Sequence, residues 1–289
     1  MSAGAEAGAP RVAVIVPCFN DGATVRETVA SIQEDEPVEV VLVDDGSTDP
    51  ATRAVLAELE AEGVRTIRHE ANRGLIEARM TGLARTSAPY VLPLDADDMV
   101  VPGALAGMAD LLDAWPRAAA CCGDYEEFGE LELVRAVPQG LDPYRVAYTN
   151  EYPVTSLFRR EVLVELDGWR YPGELVSYED WLLWMKLAGR EALVLHLGPG
   201  RLTYRRRLHP GQRARMLDIG KARHRQIYRQ LRDANPELFS RLPEHRRRSP
   251  LSPLRKLAYP IVYGGRARLP FERRVKRLLD RAGVWTLRR

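Results

Sequence analysis

The strongest constraint on this chain is an alternation. From Arg11 to Leu94, short runs rich in β-branched residues take turns with stretches of helical period, and each run ends in polar residues. Val12–Val16 is continuous and apolar and closes on Pro17, which predicts a buried strand; Val38–Val43, Val64–His69 and Tyr90–Leu94 predict three more. Between them, Asp21 predicts the N-cap of a helix reaching Ile32, and Ala51–Glu62 and Leu75–Arg85 predict two further helices. Strand–helix repetition at this spacing calls for parallel strands joined by right-handed crossovers, a doubly wound α/β sheet. The ligand crevice of such a sheet lies beyond the carboxyl ends of its strands. The loops after Val16, Val43, His69 and Leu94 therefore share one rim, and all four are polar.

Beyond Pro102 the pattern loosens. A helix over Ala104–Trp115 precedes shorter mixed elements up to Thr155, then helices over Arg160–Asp167 and Tyr178–Leu187 and strands over Ala192–Leu197 and Arg201–Arg205. A long helix is predicted from Arg213 to Ala234, and Leu242–Pro253, rich in Pro, Arg and Ser, predicts a linker. The resulting organisation is a disordered lead-in over 1–10, one half over 11–116, a second over 117–240, and a basic extension over 241–289.

Charge is divided unevenly. Residues 1–200 hold 16 Lys+Arg against 34 Asp+Glu, whereas residues 201–289 hold 26 against 6, although the whole chain carries only +2. A basic tail of this kind meets phosphates or the acidic half of its own chain. Three cysteines, two of them adjacent at Cys121 and Cys122, make no disulfide framework, so a reducing, cytoplasmic setting is expected. Met1–Pro10 lacks the basic and apolar regions of a signal peptide, and no apolar run is long enough to span a bilayer.

The chemistry concentrates at Leu94-Asp95-Ala96-Asp97-Asp98, where three carboxylates follow a strand beside the second acidic loop of Asp44 and Asp45. Negative charge gathered this way is costly without a cation. Hard oxygen donors suit Mg2+ or Mn2+, which keep waters and bridge to substrate phosphates. The competing reading is a solvated acidic turn or a helix N-cap.

At this point the residues resemble a known family. VAVIVPCFN (Val12–Asn20), VDDGSTD (Val43–Asp49), Asn72-Arg73-Gly74 and LDADD (Leu94–Asp98), in this order, resemble the family 2 nucleotide-sugar glycosyltransferases of GT-A fold. Glu179-Asp180-Trp181 and Tyr204-Arg205 with His209 resemble later segments of that family, so the likeness covers about residues 11–210. It implies a mixed sheet with a Rossmann-like nucleotide-binding half over 11–116, an acceptor-binding and catalytic half over 117–240, and a helical basic extension.

The same resemblance implies roles. Pro17 and Phe19 would wall the nucleotide base, and Asp45 would accept from its imide N–H, which favours a UDP- or dTDP-sugar. Arg73 and Gly74 would approach the nucleotide, Asp95 the ribose or a metal-bound water. Asp97 would hold Mn2+ or Mg2+, with His209 as a further ligand or simply a loop residue. Asp180 would be the general base of an inverting transfer to an acceptor hydroxyl on a glycan, lipid-linked or small molecule, with Glu179 as the alternative base. The Gln-x-x-Arg-Trp segment and membrane helices of processive synthases are missing, so single-sugar transfer is expected.

Indole rings make platforms for sugars, so Trp169 and Trp181 are candidates for an acceptor wall. Trp181 and Trp184, three residues apart on a helix, fit core packing as well. In the tail, Phe271, Val275, Leu278, Ala282 and Trp285 recur at helical spacing among arginines, and Tyr259 to Tyr263 resemble interface anchors. Such a helix would contact the inner face of a membrane peripherally or dock on the acidic half. The other classes considered are a nucleotidyltransferase, which wants a Gly-rich basic loop that Pro17–Asn20 does not offer, and a non-catalytic nucleotide-sugar binder. Nucleic acid is not an expected partner: the Arg-rich tail lacks an interleaved aromatic platform.

Overall fold

The computed structural model describes residues 8–171, 173, 178–210 and 226–262. They fall in two compact units. The first draws on Met1–Gly140, Tyr152–Arg170 and Ala192–Arg213, the second on Leu141–Glu151, Tyr171–Glu191 and Ala214–Arg289. The units interleave along the chain instead of dividing it into successive halves.

In chain order the first unit begins β1 (Val12–Cys18), α1 (Val25–Ala30), β2 (Val38–Asp44), α2 (Pro50–Ala61), β3 (Arg65–Arg68), α3 (Leu75–Arg85) and β4 (Tyr90–Pro93). It continues with β5 (Met99–Val100), α4 (Ala104–Ala114), β6 (Ala118–Cys122), β7 (Asp124–Gly129) and β8 (Leu133–Arg135). After α5 (Pro143–Val146), which belongs to the second unit, β9 (Leu157–Arg159) and α6 (Arg160–Glu165) return to the first. Then α7 (Glu179–Gly189) lies in the second unit, and β10 (Leu193–His196) and β11 (Leu202–Leu208) in the first.

A seven-stranded sheet has the order β10-β6-β9-β4-β1-β2-β3. The pairs β1/β2, β1/β4, β2/β3 and β6/β10 are parallel, and β9 runs antiparallel to both β4 and β6. This sheet explains the interleaving, because β6, β9 and β10 complete it from three separate stretches of sequence. All seven residues of β1 are buried. A buried aliphatic side chain contributes about 1.5–3 kcal/mol, so this strand anchors the core. Helix α2 starts where Asp49 accepts from the Thr52 amide at 2.8 Å with Pro50 at the first position, a cap worth about 1 kcal/mol.

A second sheet, β5-β11-β7-β8, covers a different part of the first unit. Its β5 is two residues long and pairs antiparallel with β11, Met99 opposite Arg205 and Val100 opposite Tyr204.

In the second unit the expected linker is instead a helix over Leu242–Arg248, whose His245 is buried, followed by a helix over Pro253–Val262. Two prolines sit at permissive first-turn positions (Pro243 and Pro253), so they start helices here instead of breaking them. Tyr259, expected as an interface anchor, is 7% exposed and packs toward Tyr144 with ring centroids 6.5 Å apart. Of the long helix expected over 213–234, residues 226–233 are helical and 211–225 lie outside the described residues. The amphipathic stretch 271–285 lies outside them too, as does most of the 1–10 lead-in. No helix among the described residues is long and apolar enough to cross a membrane.

Candidate active site

The parallel register of β3, β2, β1 and β4 puts their carboxyl ends side by side, and the loops that follow are bonded to one another. Asn20, directly after β1 at a φ of 62°, accepts through Oδ1 from the amides of Thr48 and Asp49, each at 2.9 Å. This joins the first loop to the second. Gly46 in the second loop has a φ of 74°, and a Cβ there would lie 2.6 Å from the carbonyl carbon of Ala71. Only glycine permits that approach between the second and third loops.

Asp45 ties the third loop. Its Oδ1 accepts from the Arg73 amide at 2.9 Å and lies 2.7 Å from His69 Nδ1, and its Oδ2 accepts from the Gly74 amide at 2.8 Å. A carboxylate only accepts, so His69 donates from Nδ1, and its Nε2 lies 2.9 Å from the Thr81 hydroxyl. A carboxylate offers about four acceptor positions, and these bonds fill three of them on Asp45, whose side chain is 4% exposed. Arg73 and Gly74 thus meet Asp45 through their backbones, while the Arg73 guanidinium is 3.6 Å from Glu77. Phe19 is 40% exposed at this rim, whereas Pro17 is buried within β1 opposite Val43.

The fourth loop carries the acids. Arg79 Nη2 donates to Asp95 Oδ1 at 2.7 Å, from a side chain only 1% exposed whose guanidinium sits 5.8 Å from the centre of the Trp169 ring. Beyond the short β5/β11 pairing, side chains take over: the Arg207 amide donates to Asp98 Oδ1 at 2.9 Å, and Arg207 Nε donates to the Asp97 carbonyl at 3.1 Å. One residue beyond β11, His209 Nε2 reaches Asp97 Oδ2 at 2.8 Å.

Burial pushes the Asp98 carboxyl well above its usual range, and the charges of Asp95 and Asp97 push the same way, opposed by the Arg207 amide. Asp21 is raised too, first by burial, against the lowering bond from the Phe19 amide, with Asp97 and Asp95 adding to the rise. In both, burial is the main cause and the neighbouring carboxylates Asp95 and Asp97 add to the rise. One carboxylate oxygen and one imidazole nitrogen converging there suit a Mg2+ or Mn2+ ion that completes its shell with water and phosphate oxygens. Among the described residues no group of three or more His, Cys, Asp or Glu forms a closed metal cage.

In the second unit Glu179 and Asp180 occupy the first turn of α7, where the helix dipole favours negative charge. Asp180 Oδ1 accepts from the Trp181 amide at 2.7 Å and Oδ2 from Asn150 Nδ2 at 2.9 Å. The two tryptophans expected at an acceptor wall are interior. Trp169 is fully buried edge-on to Phe158, and Trp181 is 3% exposed, its Nε1 donating to the Val146 carbonyl at 2.7 Å. Burial leaves neither ring a face for a sugar.

Three residues that organise this rim have only faint sequence signals. His69 could be suspected from its place at the end of β3, and Asn20 from its polar type after Phe19. Arg79 lies mid-helix among apolar neighbours, and only its depth marks it.

Residues 13–165, more than half of the chain, match glycosyl transferase family 2. The chain belongs to that family. It is 38% identical over 193 residues to the succinoglycan biosynthesis protein ExoU of Rhizobium meliloti (strain 1021), across 61% of this chain and 56% of ExoU. The chain thus spans about half the length of that curated relative. Its fold is similar to S. aureus TarS 1–349 in complex with UDP-GlcNAc, with a TM-score of 0.61 and 21% identity over 96% of this chain and 82% of TarS 1–349. It is also similar to the mannosyltransferase PcManGT from Pyrobaculum calidifontis in complex with GDP-Man and Mn2+, with a TM-score of 0.58 and 20% identity over 96% of this chain and 81% of the other. The mixed α/β architecture is of the GT-A type.

Proposed function

We propose that this chain transfers one sugar at a time from a nucleoside diphosphate sugar to an acceptor hydroxyl, inverting the anomeric carbon. The observation that carries the reading is the convergence of Asp97 and His209 on a rim whose neighbouring loops are built to receive a nucleotide. The exposed Phe19 ring stacks on the base, and Asp45 takes an imide N–H, which favours uracil or thymine. Asp95, held by Arg79, faces the ribose.

Asp97 and His209 would hold Mn2+ or Mg2+. Such an ion, when bound, supplies positive charge to the departing diphosphate. On the acceptor side, Asp180 takes the hydroxyl proton as the oxygen attacks the anomeric carbon and the bond to the diphosphate breaks. A positioned base of this kind contributes about 10²–10⁴-fold. Asn150, bonded to Asp180 Oδ2, positions it. Glu179 is the alternative base.

The test is a donor-hydrolysis panel of UDP-, dTDP- and GDP-sugars with Mn2+, Mg2+ or a chelator. Hydrolysis of the UDP- or dTDP-sugar, lost on chelation, is expected. Equal turnover with and without chelator would remove the cation from the reading, and no turnover of any donor would remove the activity.

A further inference from the structure

We infer that the second unit carries a binding site for an amphiphilic phosphate, a phosphate or diphosphate monoester of an apolar alcohol. A cavity of about 500 Å³ opens there. Tyr144, Tyr148 and Pro260 supply apolar wall, and Arg246, Arg247 and Lys256 supply positive charge. The phenol of Tyr144 is spent inside the unit, donating to the Lys256 carbonyl at 2.5 Å, and its ring is 1% exposed, so it backs the cavity, while Leu242 and Pro243 add to the apolar lining. The Tyr144 and Tyr148 rings meet edge to face with centroids 5.2 Å apart, which gives the wall a fixed shape.

The cations are what distinguish this cavity from an ordinary surface hollow. Their neighbours are compensated: Arg241 pairs with Glu191 at 2.7 Å, and Arg248 with Glu244 at 2.7 Å and Glu191 at 3.2 Å. Arg246, Arg247 and Lys256 have no carboxylate partner among the described residues. Lys256 Nζ donates to the Arg247 carbonyl at 3.3 Å. The Arg246 charge is felt in the wall, where it opposes the upward push of burial on the Tyr144 phenol. Like charges gathered around one hollow are costly unless an anion joins them, and guanidinium forks match phosphate oxygens. A ligand matching both features carries a phosphate on an apolar body.

The use of this site rests on the function proposed above, in which such an ester would carry the accepting hydroxyl. The stretch that carries Tyr144 and Tyr148 is bonded to the helix of the proposed base: Val146 accepts from Trp181, and Asn150 donates to Asp180.

The experiment is calorimetric titration of the full chain with geranyl diphosphate, geraniol and inorganic pyrophosphate, beside co-sedimentation with phosphatidylglycerol vesicles. Geranyl diphosphate is expected to bind at least about tenfold more tightly than geraniol or pyrophosphate, and the double variant Arg246→Gln/Arg247→Gln to lose about tenfold or more. Both arginines are exposed, and an unchanged UDP titration verifies that the variant is folded. Equal affinity for geraniol, or no loss in the variant, overturns the phosphate half of the inference; equal affinity for pyrophosphate overturns the apolar half. Vesicle binding without geranyl diphosphate binding assigns the cations to a bilayer surface and overturns it too. Loss of donor hydrolysis with geranyl diphosphate binding intact would instead sink the transferase reading and leave the site standing.

Discussion

His209 Nε2 lies 2.8 Å from Asp97 Oδ2 across a sequence separation of 112 residues. The antiparallel pairing of β5 with β11 brings the two together: with Met99 opposite Arg205, the residues just before β5 lie near those that end β11. His209→Ala and Asp97→Asn are each expected to lower kcat/KM for transfer by about 10²–10³-fold, the scale of losing one preorganised electrostatic group. Steady-state kinetics across a Mn2+ titration checks this. A His209→Ala enzyme with the parent's Mn2+ dependence would separate the histidine from the cation.

Asp180→Asn is expected to lower the transfer rate by about 10²–10⁴-fold while the UDP dissociation constant stays put. Asn150→Ala, which removes the bond to Asp180 Oδ2, should lower kcat by a smaller factor, about tenfold, with the donor KM unchanged. A donor KM that moves together with kcat in both variants would mark these residues as general supports of the fold.

Gly46→Ala is expected to destabilise the chain more than Gly63→Ala. Both positions have positive φ, 74° and 98°, so both variants carry backbone strain of about 1–3 kcal/mol. At Gly63 nothing lies within 4 Å of the added carbon, but at Gly46 it would lie 2.6 Å from Ala71 backbone. Overpacking adds about 1–3 kcal/mol there. Urea midpoints of the two variants measure the difference, and equal midpoints would mean the second and third loops separate freely.

Acidification should weaken the fold through His245. Its side chain is buried; burial pushes its pKa below the ordinary 6.5, and the Arg241 charge pushes the same way, against the opposite pull of Glu191 and Glu244. The unfolded chain then binds the proton more readily than the folded one, so stability declines as pH falls below about 6.5. Urea denaturation at pH 7.5 and 5.5 should show a smaller drop for His245→Gln than for the parent chain. An identical drop would place the acid sensitivity elsewhere.

Legibility followed the range of the forces involved. Helix α3 has the bounds its periodicity predicts, Leu75–Arg85, and β1, β2 and β4 lie where continuous apolar runs place them. Those signals are local, because a period of apolar side chains belongs to the segment itself. The antiparallel insertion of β9 between β4 and β6 was not legible, since three residues carry no periodicity and pairing partners are chosen at long range. The burial of Trp169 and Trp181 was hidden for a related reason. An indole serves a core and a sugar platform equally well, and its surroundings alone decide.

What the amino-acid order determined by itself was the alternation of strands and helices, the single rim on which the loops gather, and the family. Each follows from local patterning and from the handedness of parallel crossovers. Tertiary structure decided which side chains meet: Asp97 with His209, Asp95 with Arg79, Asp45 with His69. Those pairs depend on strand register and helix placement, and chain closure between distant residues leaves no mark on the spacing of either partner.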